Sequence, residues 1–156
     1  MKKILTFSSG LAIVVGVILV AGGMWGISFT HQNVAREKIT TASDASIPNV
    51  PLSGPLTLMA QSDIIREHTL ATTGGKTYAE MPRQIAKLDA NGKPVLDDKG
   101  APVMVANTAR DIWITSTALT TALHLAIFSY VFSGLILLFG LVSFWTGVVF
   151  YNLSKR

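Results

Sequence analysis

The side chains able to do chemistry in this chain are few and far apart. Its histidines are His31, His68 and His124, and no two fall at the HExxH spacing that sets a pair of imidazoles around a metal. His68 follows Glu67, but adjacent residues on a helix point in different directions. Gly74-Gly75-Lys76-Thr77 resembles the end of a phosphate loop, yet the first glycine of that motif would fall at Leu70 with no buried strand before it. A helix C-cap followed by a turn accounts for the glycines. Asp63 and Glu67 are like charges one helical turn apart with Arg66 beside them, and Asp97-Asp98 is ordinary turn chemistry. Paired acids for glycoside hydrolysis would need a substrate cleft that a short loop segment hardly provides. No serine lies in GxSxG and no GxGxxG occurs. With 0 cysteines, disulfides, thiolate metal sites and cysteine nucleophiles are excluded. The expectation is a protein that is not an enzyme and holds no catalytic residue, cofactor or metal.

Charge points elsewhere. Of 13 Lys/Arg and 9 Asp/Glu, the net +4 is carried by Lys2, Lys3, Lys155 and Arg156, at the two ends of the chain. The pI near 9.6 therefore reflects no basic patch, and nucleic acid is not an expected partner. The terminal cations flank two uncharged stretches, Ile4–Ala35 and Ile112–Ser154, each longer than the roughly 20 residues needed to cross a bilayer. Short segments rich in Lys and Arg stay cytoplasmic, so the reading is a multi-pass plasma-membrane protein with both termini in the cytoplasm and the middle outside. A cleaved signal peptide ending near Val20-Ala21-Gly22 competes, but the apolar run continues through Met24, Trp25, Ile27 and Phe29, which favours an uncleaved anchor.

The first span is placed at residues 7–29 after a cytoplasmic 1–6. Ser8, Ala12, Gly16, Gly23 and Gly26 fall near one helical face, with Gly22 and Gly26 forming a GxxxG pair. Small residues let helix backbones approach where lipid removes the hydrophobic drive to associate. The second stretch, as one helix, would be about 64 Å long, roughly twice the hydrocarbon thickness. It is read as an outer extension over 112–124, rich in Thr and Ser, followed by a span over 125–149 and a cytoplasmic 150–156. Ala122, Ala126, Ser129, Ser133, Gly140 and Gly147 recur at heptad-like spacing along it and form a candidate packing seam. Trp145, Tyr151 and Lys155-Arg156 suit an inner-interface anchor. His31 and His124 lie near the outer ends of the two spans and could meet at one level over a metal or quinone, though interfacial side chains in wet headgroups explain them more simply.

The loop 30–111 is read in three parts. Residues 31–53 look like a polar linker with Pro48 and Pro51, after a short helical extension through Val34, Arg36 and Ile39. A helix near 56–70 follows, with Pro55 at its first turn and a buried stripe of Leu56, Met59, Ala60 and Ile64. Turn signals at Asn91-Gly92 and Asp97-Asp98-Lys99-Gly100 predict a small β-meander near 84–105, and Asn107 can cap the long second helix. No internal repeat is expected. The fold class is thus a mainly α membrane protein, two transmembrane helices with a small α+β extracytoplasmic loop domain.

Three segments, Gln61–Leu70, Thr73–Met81 and Ala109–Trp113 running into Thr120–Leu123, resemble a family of small two-span membrane proteins from high-GC Gram-positive bacteria. Its members are mostly uncharacterised, and some carry a ring-opening dioxygenase label. The resemblance covers roughly residues 55–130 and implies a cell-envelope protein; no catalytic residue transfers with it. A non-haem iron site would need a His/carboxylate triad on a preformed scaffold, which these residues do not supply.

Small-residue faces, a loop near the lower size limit for a core of its own and no catalytic constellation lead to one functional expectation. The chain is read as an accessory or assembly subunit of a larger integral-membrane complex, of the respiratory, cytochrome or oxidase kind, with other membrane subunits and the lipid bilayer as partners. The alternative is an extracytoplasmic sensor or ligand-binding module anchored by two spans.

Overall fold

In a computed structural model, which describes residues 2–155, the chain is mainly helical. Helix α1 runs Lys2–Arg36, α2 Pro55–Thr72 and α3 Thr108–Lys155, with short strands β1 (Gln84–Ala86) and β2 (Met104–Ala106) between α2 and α3. Helices α1 and α3 are long and apolar enough to cross a membrane. Their 35 and 48 residues correspond to about 52 and 72 Å. They form an antiparallel hairpin, because Gly26 meets Ser133 at one end and Gly147 meets Ile13 at the other. Lys2 and Lys155 therefore lie at the same end of the hairpin.

The extension of α1 stops at Arg36, short of Ile39. Lys38 takes a positive φ of 52° and turns the chain away. Residues 39–52 are then not a linker but an ordered loop. Leu52 N donates to Ile39 O, and Thr41 N to Val50 O. The buried Thr41 hydroxyl closes the loop from inside, donating to Val50 O at 3.3 Å and accepting from Val50 N at 3.0 Å. Gln61 Oε1 accepts from Ala42 N at 3.0 Å, which ties the loop to α2.

Pro55 opens α2, where its missing N–H costs no hydrogen bond. The Thr57 hydroxyl accepts from Ser53 N and Gly54 N. Gly75 N donates back to Leu70 O at 2.7 Å to finish the helix. The buried face matches the stripe read in the sequence at Ala60 and Ile64 and departs from it at Leu56 and Met59. Leu56 and Met59 are exposed, whereas Leu58, Ala60, Ser62, Ile64 and Thr69 are buried. The face toward α3 carries polar ties at Ser62 and Thr69, so apolar periodicity alone misplaces it.

The meander is smaller and more regular than expected. Strands β1 and β2 pair antiparallel, Ile85 opposite Val105, and isolated bridges join Leu88 to Pro94 and Leu96 to Pro102. Contrary to the expectation of no repeat, Leu88-Asp89-Ala90-Asn91-Gly92-Lys93-Pro94-Val95 is followed at once by Leu96-Asp97-Asp98-Lys99-Gly100-Ala101-Pro102-Val103, the pattern Leu-Asp-x-x-Gly-x-Pro-Val written twice. Each copy folds alike. Asp89 Oδ1 accepts from Asn91 N and Lys93 N, and Asp97 Oδ1 from Lys99 N and Ala101 N. Gly92 and Gly100 supply φ of 77° and 80°, a region costly for residues with a Cβ. The copies close on one another in a ring: Lys87 N donates to Val103 O, Val103 N to Val95 O and Val95 N to Lys87 O.

Candidate functional site at the three-helix junction

The lower part of the hairpin is held by small residues. Ser9, Gly16, Gly23 and Thr30 are buried on α1 at heptad spacing, facing Ser133, Gly140 and Gly147 on α3. A methyl on Gly16 would lie 2.5 Å from the Phe144 nitrogen, on Gly23 2.7 Å from that of Leu137, and on Gly140 2.6 Å from that of Val20. At Gly147 it would meet Ile13 at 2.7 Å, and at Gly26 the Ser133 hydroxyl. Ala12 lies half-buried in the same seam, where its carbonyl accepts from Ser143 Oγ at 3.0 Å. Ser8 is half-buried beside the seam, and Ser9 occupies the heptad position instead. Gly22 faces open space, so the GxxxG pair is split and only Gly26 meets α3.

Above Ser133 the seam changes character. Ser129 and Ala126 are half-buried and Ala122 is exposed. Here α1 ends, and α2 takes its place against α3. Leu52, Leu58 and Leu123 form the buried cluster, with Val34, Ile65 and Ala126 packed around it. Between them lies a cavity of ≈ 450 Å³, bordered by Val34, Leu52, Leu58, Ile65, Leu119 and Ala126, with Asn33, Glu37 and Gln61 also lining it. That volume falls within the ~300–1,000 Å³ usual for small-molecule sites. The exposed Ala122 thus contributes room rather than close helix contact, while Ala126 borders the cavity and packs on the cluster.

A ladder of polar contacts holds the outer elements to α3. Arg110 Nη1 donates to Met81 O at 2.6 Å and its guanidinium lies 3.8 Å from the Tyr78 ring centroid. Trp113 Nε1 donates to Lys76 O at 2.8 Å, and the Thr69 hydroxyl to Ser116 Oγ at 2.7 Å. Ser62 Oγ and His124 Nε2 are 2.8 Å apart. Tyr130 OH donates to Ser53 O at 3.1 Å, and His31 Nδ1 lies 3.0 Å from the same carbonyl. Asn107 Oδ1 caps α3 by accepting from Ala109 N, while its Nδ2 donates to Pro82 O at the neck of the meander.

The histidines fall into separate networks. His31 pairs with Ser53 and Tyr130, His124 with Ser62, and His68 Nε2 with Asp44 Oδ2 at 2.6 Å. The His68 hydrogen bond holds the Asp44 carboxyl below its ordinary value, and donation by Thr77 N and its hydroxyl does the same for Glu80. Among the described residues no cluster of three or more His, Cys, Asp or Glu side chains could hold a metal. The Ser62–His124 pair has the spacing of a nucleophile and base, but Ser62 is 2% exposed within the α2–α3 contact. As arranged, it is a tie between helices.

No protein-family model, curated protein or solved structure matches this chain. The resemblance to small two-span proteins therefore rests on the loop segments alone. The residues that build the junction without having been singled out are Leu58, Trp113, Thr69, Ser116 and Tyr130. Trp113 and Tyr130 carried a usable signal, since each is an aromatic with a polar tip that seeks a partner when buried.

Proposed function

We propose that the chain is a two-span membrane protein acting as a non-catalytic accessory or assembly subunit of a larger integral-membrane complex. Its helices support the membrane reading through the side chains they leave outside: Phe7 is 75% exposed, Trp25 68%, Phe128 67% and Trp145 69%. Soluble proteins rarely expose continuous apolar surface on that scale. Lys2, Lys3 and Lys155 lie at one end of the hairpin, which supports a plasma-membrane protein with both termini cytoplasmic and the outer elements extracytoplasmic. A removable leader would have no need of the backbone contact between Gly16 and Phe144.

One observation carries the accessory reading. The meander orders itself through its own hydrogen bonds, yet neither strand packs against a helix. Leu88, Leu96 and Met104, at matching places after each ring residue, stay 57%, 58% and 50% exposed. An ordered small module with apolar side chains turned outward suits contact with another subunit. Purification of the tagged full chain in mild detergent should recover other membrane subunits in stoichiometric amount. A lone monomer or homodimer sinks the proposal. A haem spectrum in that material would assign the partner to the respiratory class.

The junction cavity favours a second reading, a sensor or ligand-binding module anchored by two spans. It predicts thermal stabilisation of the full chain by a small molecule in the absence of any partner subunit.

A further inference from the structure

We propose that the junction cavity holds one acyl chain of a bilayer lipid. The inference rests on the two-span reading and gives the cavity an occupant of stated chemistry.

Three observations converge. The first is the composition of the walls. Leu52, Leu58, Ile65, Leu119 and Leu123 present hydrocarbon, while Gln61 Oε1 is engaged by Ala42 N, Asn33 Nδ2 by Phe29 O, and Glu37, the one charged residue of the lining, is exposed to solvent. Among the described residues no buried side-chain nitrogen or oxygen lacks a hydrogen-bond partner. The buried part of the wall therefore asks for no polar group from an occupant. Water is a poor filler, since a buried water requires two to four polar partners.

The second is where the space lies. The cavity borders the Leu52–Leu58–Leu123 cluster on which the outer elements depend. An unfilled space there withholds packing contacts from its walls. It exists because α1 ends at Arg36 while α3 continues upward, where the small Ala122 and Ala126 alternate with Leu119 and Leu123 along the gap.

The third is a route from the membrane. Trp25, Phe29 and Asn33 stand four residues apart on α1 and so form one row up the helix, with Glu37 in the turn just past its end. Asn33 and Glu37 line the cavity. The lower two are exposed and stacked, with ring centroids 5.3 Å apart, where aromatic rings favour the membrane interface. A lipid whose headgroup rests by this pair can turn one chain up along the row and into the cavity.

The test uses the full chain in phosphatidylethanolamine/phosphatidylglycerol vesicles carrying a phospholipid with a diazirine near the end of one acyl chain. After photolysis, adducts are mapped by peptide mass spectrometry. Adducts are expected at Leu58, Ile65 or Leu119 in addition to the spans, and A122F and A126F should lose the cavity adducts while keeping those on the spans. Labelled spans with an unlabelled cavity overturn the acyl-chain proposal and leave the two-span reading standing. Unlabelled spans overturn both. Cavity adducts that persist in both filled variants, with helicity unchanged, also overturn it, and the wild-type map decides where a variant misfolds.

Discussion

Gly16 on α1 and Phe144 on α3 touch through their backbones: a single methyl on Gly16 would stand 2.5 Å from the Phe144 nitrogen. No rotamer change relieves such a clash, because the obstructing atom is main chain. Replacing Gly16 by Leu should therefore separate the hairpin, at a cost of about 1–3 kcal/mol or more. Gly22, whose added methyl meets nothing within 4 Å, is the internal control. Its replacement by Leu should stay within about 0.5 kcal/mol of wild type in an SDS-unfolding titration.

Trp113 holds the turn after α2 by donating to Lys76 O at 2.8 Å. Trp113→Phe keeps the ring but removes the donor, and should cost about 1–3 kcal/mol for the carbonyl left behind. Hydrogen exchange should speed up between Thr73 and Met81 and stay unchanged in the lower hairpin. Uniform acceleration would show that the contact is not local.

How far the fold was legible follows from these contacts. Two long apolar helices, the Pro55 start of α2 and a glycine-rich end after Thr72 can be read along the chain, because length, composition and capping are local properties. The buried face of α2 can be read only in part: Ala60 and Ile64 follow the apolar pattern, but Ser62 and Thr69 are polar yet face His124 and Ser116. The order of residues 39–52 was equally hidden, as it depends on contacts between separate segments, the Thr41 hydroxyl on Val50 and Gln61 on Ala42 among them. The cavity was the least accessible feature. Alanines at helix spacing look the same whether a neighbour approaches them or turns away, and only the end of α1 at Arg36 decides between the two.

A fragment covering residues 30–111 should not hold α2 in place. Its partners Leu123, Ser116 and His124 belong to α3. Circular dichroism of that fragment is expected to show little helix. Native-like helicity together with protection of Leu58 would contradict this assignment.

The meander can be tested apart from the helices. Gly92→Ala and Gly100→Ala each force a Cβ into positive φ, at about 1–3 kcal/mol of local strain. Both should disorder the ring of Lys87, Val95 and Val103 while total helicity stays constant. By contrast, Leu88→Ser with Leu96→Ser leaves turns and helices intact and should abolish recovery of partner subunits. Retention of the partners would show that this face is not the docking surface.

Acid should loosen the clasp between the 39–52 loop and α2. The His68 hydrogen bond depresses the Asp44 carboxyl below 3.8, so its contribution is complete above that pH and disappears as pH falls through the lower folded-state value. Asp44→Asn should remove this pH dependence from hydrogen exchange at Thr41–Ala45. An unchanged acid limb in that variant would assign the transition to another carboxylate.

Helix α3 passes without proline from Thr108 to Lys155, and the outer ladder from Arg110 to Tyr130 is fastened to its upper half. The helix is therefore a lever. With Ser133 as the fulcrum, Trp113 stands about 30 Å away, so a 10° change in tilt of the lower half would swing Trp113 and the turn it holds by about 5 Å. In the proposed two-span protein, changes in bilayer thickness, which helices accommodate by tilting, would reach the meander as displacement.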